Sequence, residues 1–184
     1  MDQEIEATPK NDGSFDAVVV GAGFSGLYAL LRLRENLGLK VRGYEAGGGV
    51  GGTWYWNRYP GCRCDVPSHF YSYSFSAELD QEWCWSEKYA AQPEIEKYLN
   101  HVADKFDLRR DIRFNTRVIS ANYDAANRVW DIGTDDGRRV RARFLLSAAG
   151  ILSAGYIPDY PGRETFSGDV YRSEERRVGK ECRL

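Results

Sequence analysis

The stretch FDAVVVGAGFSGLYALLRLRENLGLKVRGYE, Phe15 to Glu45, decides the fold. Phe15–Val20 is a short, nearly continuous apolar run, as expected of a strand buried on both faces of a parallel sheet. From Leu27 to Leu37, apolar Leu27, Leu30, Leu31 and Leu33 alternate with Arg32, Arg34 and Glu35, which predicts an amphipathic helix. Gly38 is placed to end it. Leu39–Tyr44 then reads as a second strand with Glu45 at its end, completing a β-α-β unit.

Between the first strand and the helix lies Gly21-Ala-Gly23-Phe24-Ser25-Gly26. Such a pattern alone is a weak signal, but here it follows a strand and opens a helix, the context it requires. Gly21 permits a tight turn, Gly23 lets a pyrophosphate approach the backbone, and Gly26 lets helix and strand pack closely. The helix N-terminus then offers unpaired N–H groups and partial positive charge to a diphosphate, with Phe24 and Ser25 in its first turn. Glu45 stands where a carboxylate accepts hydrogen bonds from ribose hydroxyls and disfavours a 2′-phosphate. The ligand expected here is therefore FAD or NAD rather than NADP. The bland alternative is a glycine-rich turn without a ligand.

The segment after Glu45 favours FAD. Instead of another helix and strand, the chain runs through Gly47-Gly-Gly-Val-Gly-Gly-Thr53, a second glycine loop that would lie back across the same dinucleotide. Gln92-Pro93 opens a helix with Ile95, Leu99, Val102 and Phe106 on one face. Ile112–Phe114, Val118–Tyr123, Arg128–Thr134 and Arg138–Val140 read as short strands of an antiparallel ribbon, with Asp136-Gly137 as a tight turn. Phe144–Ala149 reads as a further buried strand followed by Gly150. The fold class expected is α/β: a Rossmann-type FAD-binding half-domain, its parallel sheet carrying an inserted antiparallel β-ribbon.

Composition narrows the function classes. A net charge of −2 over 184 residues gives no electrostatic case for nucleic acid or an acidic membrane surface. No apolar run reaches spanning length. The polar, acidic start, residues 1–14, lacks the features of a signal peptide and reads as a disordered lead-in, so a cytoplasmic location is expected. Cys62, Cys64, Cys84 and Cys182 read as ordinary thiols, since Cys62-x-Cys64 is too tight for a usual zinc knuckle and no second pair supports one. No metal site is expected.

Gly51-Gly-Thr-Trp-Tyr-Trp-Asn-Arg-Tyr-Pro-Gly61, followed by Arg63-Cys-Asp65, closely resembles the Baeyer–Villiger monooxygenases of the phenylacetone and cyclohexanone monooxygenase group. Tyr71-Ser-Tyr-Ser-Phe75, Glu82-Trp-Cys-Trp85 and Tyr89-Ala-Ala-Gln-Pro-Glu-Ile95 continue the resemblance, which covers about Phe15 to Tyr171. It implies FAD on the first Rossmann unit and NADPH in a domain downstream. The parent enzyme would use O2 to insert oxygen beside a ketone carbonyl, giving an ester or lactone; an N- or S-oxidising flavin monooxygenase is the neighbouring reading, and a non-catalytic FAD-binding fragment another. By resemblance, Gly52, Thr53, Trp54, Tyr55 and Trp56 line the FAD with Tyr71 nearby. Val118 touches the adenine end, and Gly150 also belongs to the cofactor-binding set. Arg63, Cys64 and Asp65 lie where flavin and nicotinamide meet. Asp65 is the one catalytic candidate, a buried acid expected to orient an arginine beside the flavin. Flat aromatic walls suit a flavin ring and exclude water. Trp83, Trp85, Tyr73 and Phe75 read instead as a local mini-core.

The resemblance breaks in three places. The partner arginine and the second glycine motif of the family lie downstream, so this chain corresponds to about its first third and is expected to be inactive alone. Ser147-Ala-Ala-Gly150 stands where the family usually has Ala-Thr-Gly. After Phe166-Ser-Gly168 and Tyr171, Arg172 replaces the family's histidine and no Trp-Pro follows. Residues 172–184, RSEERRVGKECRL, resemble a translated sequencing adapter and are expected to be non-native.

Overall fold

The computed structural model describes residues 10–154 and 156–169. Its elements run β1 (Lys10–Val20), α1 (Phe24–Leu31), β2 (Val41–Tyr44), α2 (Thr53–Trp56), α3 (Ala77–Glu82), α4 (Gln92–Lys105), β3 (Ile112–Arg113), β4 (Val118–Asp124), β5 (Val129–Thr134) and β6 (Arg138–Ser147). One sheet holds all six strands in the order β3-β2-β1-β6-β5-β4. β1 lies parallel to β2 and to β6, and β2 is parallel to β3. β4–β5 and β5–β6 are antiparallel. This is the Rossmann-type sheet with its ribbon.

β1 is buried on both faces because each face meets a different core. Ala17 and Val19 join Leu27, Leu30, Ile95, Leu99 and Val102 beneath α1 and α4. Val18 turns the other way and packs with Tyr44 of β2 and with Ile132, Val140 and Ala142 of the ribbon. The continuous apolar run is the sequence consequence of this two-sided burial. Helical hydrogen bonding past α1 continues as a π-turn over Arg32–Asn36. Gly38, at φ +62, ends it and donates to the Arg34 carbonyl at 3.1 Å.

Three expectations need correction. The lead-in is not disordered throughout: residues 10–14 belong to β1, with Lys10 and Asn11 paired to Arg138 and Arg139. Its anchor is Asp12, whose carboxylate accepts from the Tyr44 hydroxyl at 2.6 Å and from Arg113 at 2.9 Å. Burial and this carboxylate push the Tyr44 hydroxyl well above its ordinary pKa. Second, the run Ile112–Phe114 does not join the ribbon: its first two residues form β3, which extends the parallel edge beside β2. Third, Arg138–Val140 and the run after Phe144 are one strand, β6. It pairs with β5 through Ala142 while running alongside β1 to Ser147. Residues 1–9 and 170–184 lie outside the described residues, and with them most of the proposed lead-in and the whole of the proposed adapter tail.

Removing the Asp12 carboxylate leaves a buried hydroxyl and a guanidinium without their acceptor. Asp12→Ala is expected to lower the unfolding free energy by about 2 kcal/mol in a urea titration. An unchanged midpoint would show that residues 10–14 are not anchored.

Candidate dinucleotide site

The site is built where three loops converge on the end of β2. Glu45 is 5% exposed, and both carboxylate oxygens are engaged. One accepts the Ala22 N–H and the other the Gly47 N–H, each at 2.7 Å. Its backbone N–H donates to the Arg113 carbonyl, and its own carbonyl accepts the Thr116 N–H, both at 2.9 Å. Glu45 thus ties the first glycine loop, the second glycine loop and the turn after β3 to one point. Asn115, at φ +51, donates its N–H to the Gly47 carbonyl and brings the start of β4, including half-buried Val118, alongside.

The glycines are where they are because nothing larger fits. A Cβ on Gly26 would stand 1.9 Å from the Gly21 carbonyl oxygen, and one on Gly21 2.4 Å from that of Ala148. Gly52, at φ +55, would place a Cβ 2.9 Å from the Cα of Gly23. The two glycine loops are therefore in backbone contact, joined by the Gly51 N–H on the Ala22 carbonyl at 3.0 Å. No side chain caps the first turn of α1. An α-helix leaves its first N–H groups without intrahelical partners, so this end supplies the donors and partial charge that a diphosphate needs. Ser25 is exposed there. Gly150, at φ +83, follows the end of β6, where the Ala148 N–H donates to the Val20 carbonyl.

The aromatic run splits its duties. Trp54 is buried and meets Tyr71 edge-on, with ring centroids 5.4 Å apart. Tyr71 also meets Phe24 at 5.4 Å. Burial, then the neighbouring Cys64, Asp65 and Cys62, raises the pKa of the Tyr71 hydroxyl. Tyr55 instead lies over the second glycine loop: its hydroxyl accepts the Gly48 N–H at 3.0 Å, and a Cβ on Gly47 would come within 2.7 Å of its ring. Trp56 is 58% exposed, and Thr53 is exposed. Tyr73, Phe75, Trp83 and Trp85 pack against the main core, as the mini-core reading expects. An open cavity of about 450 Å³ runs along α1 from Phe24 and Ser25 to Arg32.

The Arg63-Cys64-Asp65 segment is placed but not completed. Arg63 binds Glu87 at 3.0 Å and the Tyr89 carbonyl at 3.1 Å. Cys64 is buried and its N–H donates to the Ala90 carbonyl. Asp65 is exposed rather than buried. It forms no ion pair among the described residues, so burial does not oblige it to take a partner within them. Cys62, Cys64 and Cys84 are free thiols. No group of His, Cys, Asp and Glu side chains suited to a metal occurs among the described residues. No helix among them is long and apolar enough to cross a membrane.

Sequence reasoning missed Arg58, Gln92 and Glu96. The Gln92 side-chain amide donates to the Trp54 carbonyl and, at 2.7 Å, to Glu96. Glu96 in turn binds Arg58 at 2.6 Å. The Gln92-Pro93 pair signalled a helix start within a family-like stretch, not a bond to the aromatic turn.

Comparison with known proteins agrees with this geometry. The family described as NAD(P)-binding Rossmann-like domain matches residues 19–81. A Baeyer–Villiger monooxygenase of Pseudooceanicola batsensis is 46% identical over 170 residues, 92% of this chain and 31% of that protein. The chain is homologous to the Baeyer–Villiger monooxygenases. A phenazine N-monooxygenase of Lysobacter antibioticus is equally similar, 46% identical over 174 residues, 90% of this chain and 32% of that one. The solved structure of an oxidized steroid monooxygenase bound to NADP superposes with a TM-score of 0.77 at 61% identity, covering 88% of this chain and 31% of that one. The chain thus spans about a third of the length of the monooxygenases it matches.

The glycine contacts give a direct test. Gly26→Ala is expected to destabilise by about 3 kcal/mol or more, because its Cβ must displace backbone. Gly61→Ala, at φ +78 with nothing within 4 Å of its Cβ, is expected to lose only about 1 kcal/mol. Equal losses in urea melts would show that the close approach is not what selects glycine.

Proposed function

We propose that this chain is the FAD-binding part of a flavin-dependent Baeyer–Villiger monooxygenase. The observation that carries it is the mutual contact of two glycine loops, Gly21–Gly26 and Gly47–Thr53, braced by Glu45 beside an uncapped helix start. That cradle suits a dinucleotide diphosphate: a Cβ would close it, and its donors are backbone N–H groups. Gly21, Gly23 and Gly26 would let the diphosphate approach, with Phe24 and Ser25 presenting the first-turn amides. Glu45 would receive the ribose, since a carboxylate offers about four lone-pair sites and two are taken. Trp54 and Tyr71 would wall the flavin ring and exclude water; Thr53, Tyr55, Trp56 and Gly150 would bound it. Val118 would approach the adenine end.

FAD, when bound, supplies the redox centre that takes hydride from NADPH and reacts with O2. The residues of this chain bind, orient and desolvate. Asp65, held near Tyr71, would orient a cationic partner from outside the described residues. The substrate of the parent protein is proposed to be a small-molecule ketone, oxidised to an ester or lactone. The equally similar phenazine N-monooxygenase supports a second reading, nitrogen oxidation, and turnover of a ketone against an aromatic amine by the parent enzyme separates the two. We propose the cytoplasm as its location, with neither nucleic acid nor membrane as partner. The lead-in remains proposed for residues 1–9 and a non-native origin for residues 172–184.

FAD titrated into the 184-residue chain is expected to lose fluorescence with saturation. Glu45→Gln is expected to weaken that binding by about 1–3 kcal/mol. NADPH consumption dependent on ketone is expected to be absent. Failure to bind FAD would overturn the reading; ketone-dependent turnover would overturn the assignment of a binding role alone.

A further inference from the structure

α2, which carries Trp54 and Tyr55, has only four residues. A single turn does not hold itself, since helix nucleation is unfavourable. Gly51 and Gly52 precede it with positive φ, and Asn57 leaves it in extended conformation. Its position must be fixed from outside. The anchors come from one face of α4.

Gln92 and Glu96 are one helical turn apart, at i and i+4. Gln92 is 5% exposed, and its side-chain amide donates to the Trp54 carbonyl. Its other bond goes to one oxygen of Glu96. The second oxygen of Glu96 accepts from Arg58, whose Nε donates to the Tyr55 carbonyl at 2.8 Å. The same guanidinium lies 4.9 Å from the centroid of the Tyr55 ring. That ring and its hydroxyl cover the second glycine loop. A continuous path therefore leads from α4 to Gly48.

We propose that Glu96 is a positioning residue for the dinucleotide pocket. It orients Arg58 and Gln92, and through them fixes the aromatic turn and the second glycine loop. The ion pair itself is a poor stabiliser: the Arg58 side chain is half exposed, and exposed pairs contribute little. Its use is geometric. Each oxygen of Glu96 aims one donor at one carbonyl of the turn.

Hydrogen exchange on the unliganded 184-residue chain tests this without reference to function. Glu96→Gln keeps the shape but turns an amide NH2 toward one of the two donors. The Gly48 amide and the amides of Trp54–Asn57 are expected to exchange about tenfold faster, the loss of one charge-assisted hydrogen bond. Those of Val18–Val20 are expected to stay unchanged. Arg58→Gln, at a half-exposed position, is expected to reproduce the pattern should Glu96→Gln fold poorly. No change, or acceleration that includes β1, would overturn the proposal.

The second readout rests on the FAD-binding reading. Glu96→Gln and Arg58→Gln are each expected to weaken FAD binding about tenfold, and together no more than either alone, because they act in series. Additive losses would overturn the proposal. If the unaltered chain binds no FAD, the functional reading fails, and the exchange pattern still decides the role of Glu96.

Discussion

The arrangement depends on one carboxylate. Glu45 sits at the end of β2 and holds the N–H groups of Ala22 and Gly47, one on each oxygen. Two glycine-rich loops have little side-chain contact to keep them together and much backbone entropy to lose. Charge-assisted hydrogen bonds to a buried acceptor are strong enough to oppose that loss. With the loops so held, Gly23 and Gly52 come into contact beside the helix start of α1. A ribose-binding acid and a loop brace are usually regarded as different roles. Here the side chain that braces the loops is also the one proposed to receive the ribose.

Around this centre the structure uses aromatic side chains as covers. Tyr55 protects the second glycine loop, while Trp54, Tyr71 and Phe24 form a packed edge-to-face run beside the first. Edge-to-face pairs hold rings at defined angles, which aliphatic side chains would not do. The turn that carries Trp54 and Tyr55 is short, and α4 supplies the rigidity it lacks.

The β-α-β unit was legible because its signals are local: an apolar run, a glycine pattern and a helical period within thirty or so residues. The strand in residues 10–14 was not. Its anchor, Asp12, meets Tyr44 and Arg113, which are 32 and 101 residues away. The polar composition of that stretch suggests solvent until those partners are known. Ile112–Phe114 looked like a ribbon strand because so short a run carries no period; only the pairing of Ile112–Arg113 with β2 assigns it. Glu45 was found by its position, but its two backbone bonds follow from how the loops fold. Arg58 and Gln92 lie inside motifs that were legible, but their bonds to each other's surroundings through Glu96 were not, since these arise only where α4 meets α2.

Asp65 marks the limit of what these residues accomplish together. The brace, the glycine contact and the aromatic turn are all satisfied by partners within the chain. Asp65, by contrast, is an exposed acid without an ion pair among the described residues, its charge acting on the Tyr71 hydroxyl. A group that binds needs its shape fixed by its own neighbours. A group that orients a reacting partner must leave its acceptor sites open for that partner. The two patterns of satisfaction therefore set Asp65 apart from the residues of the brace and the glycine contact, in keeping with the orienting role proposed for it.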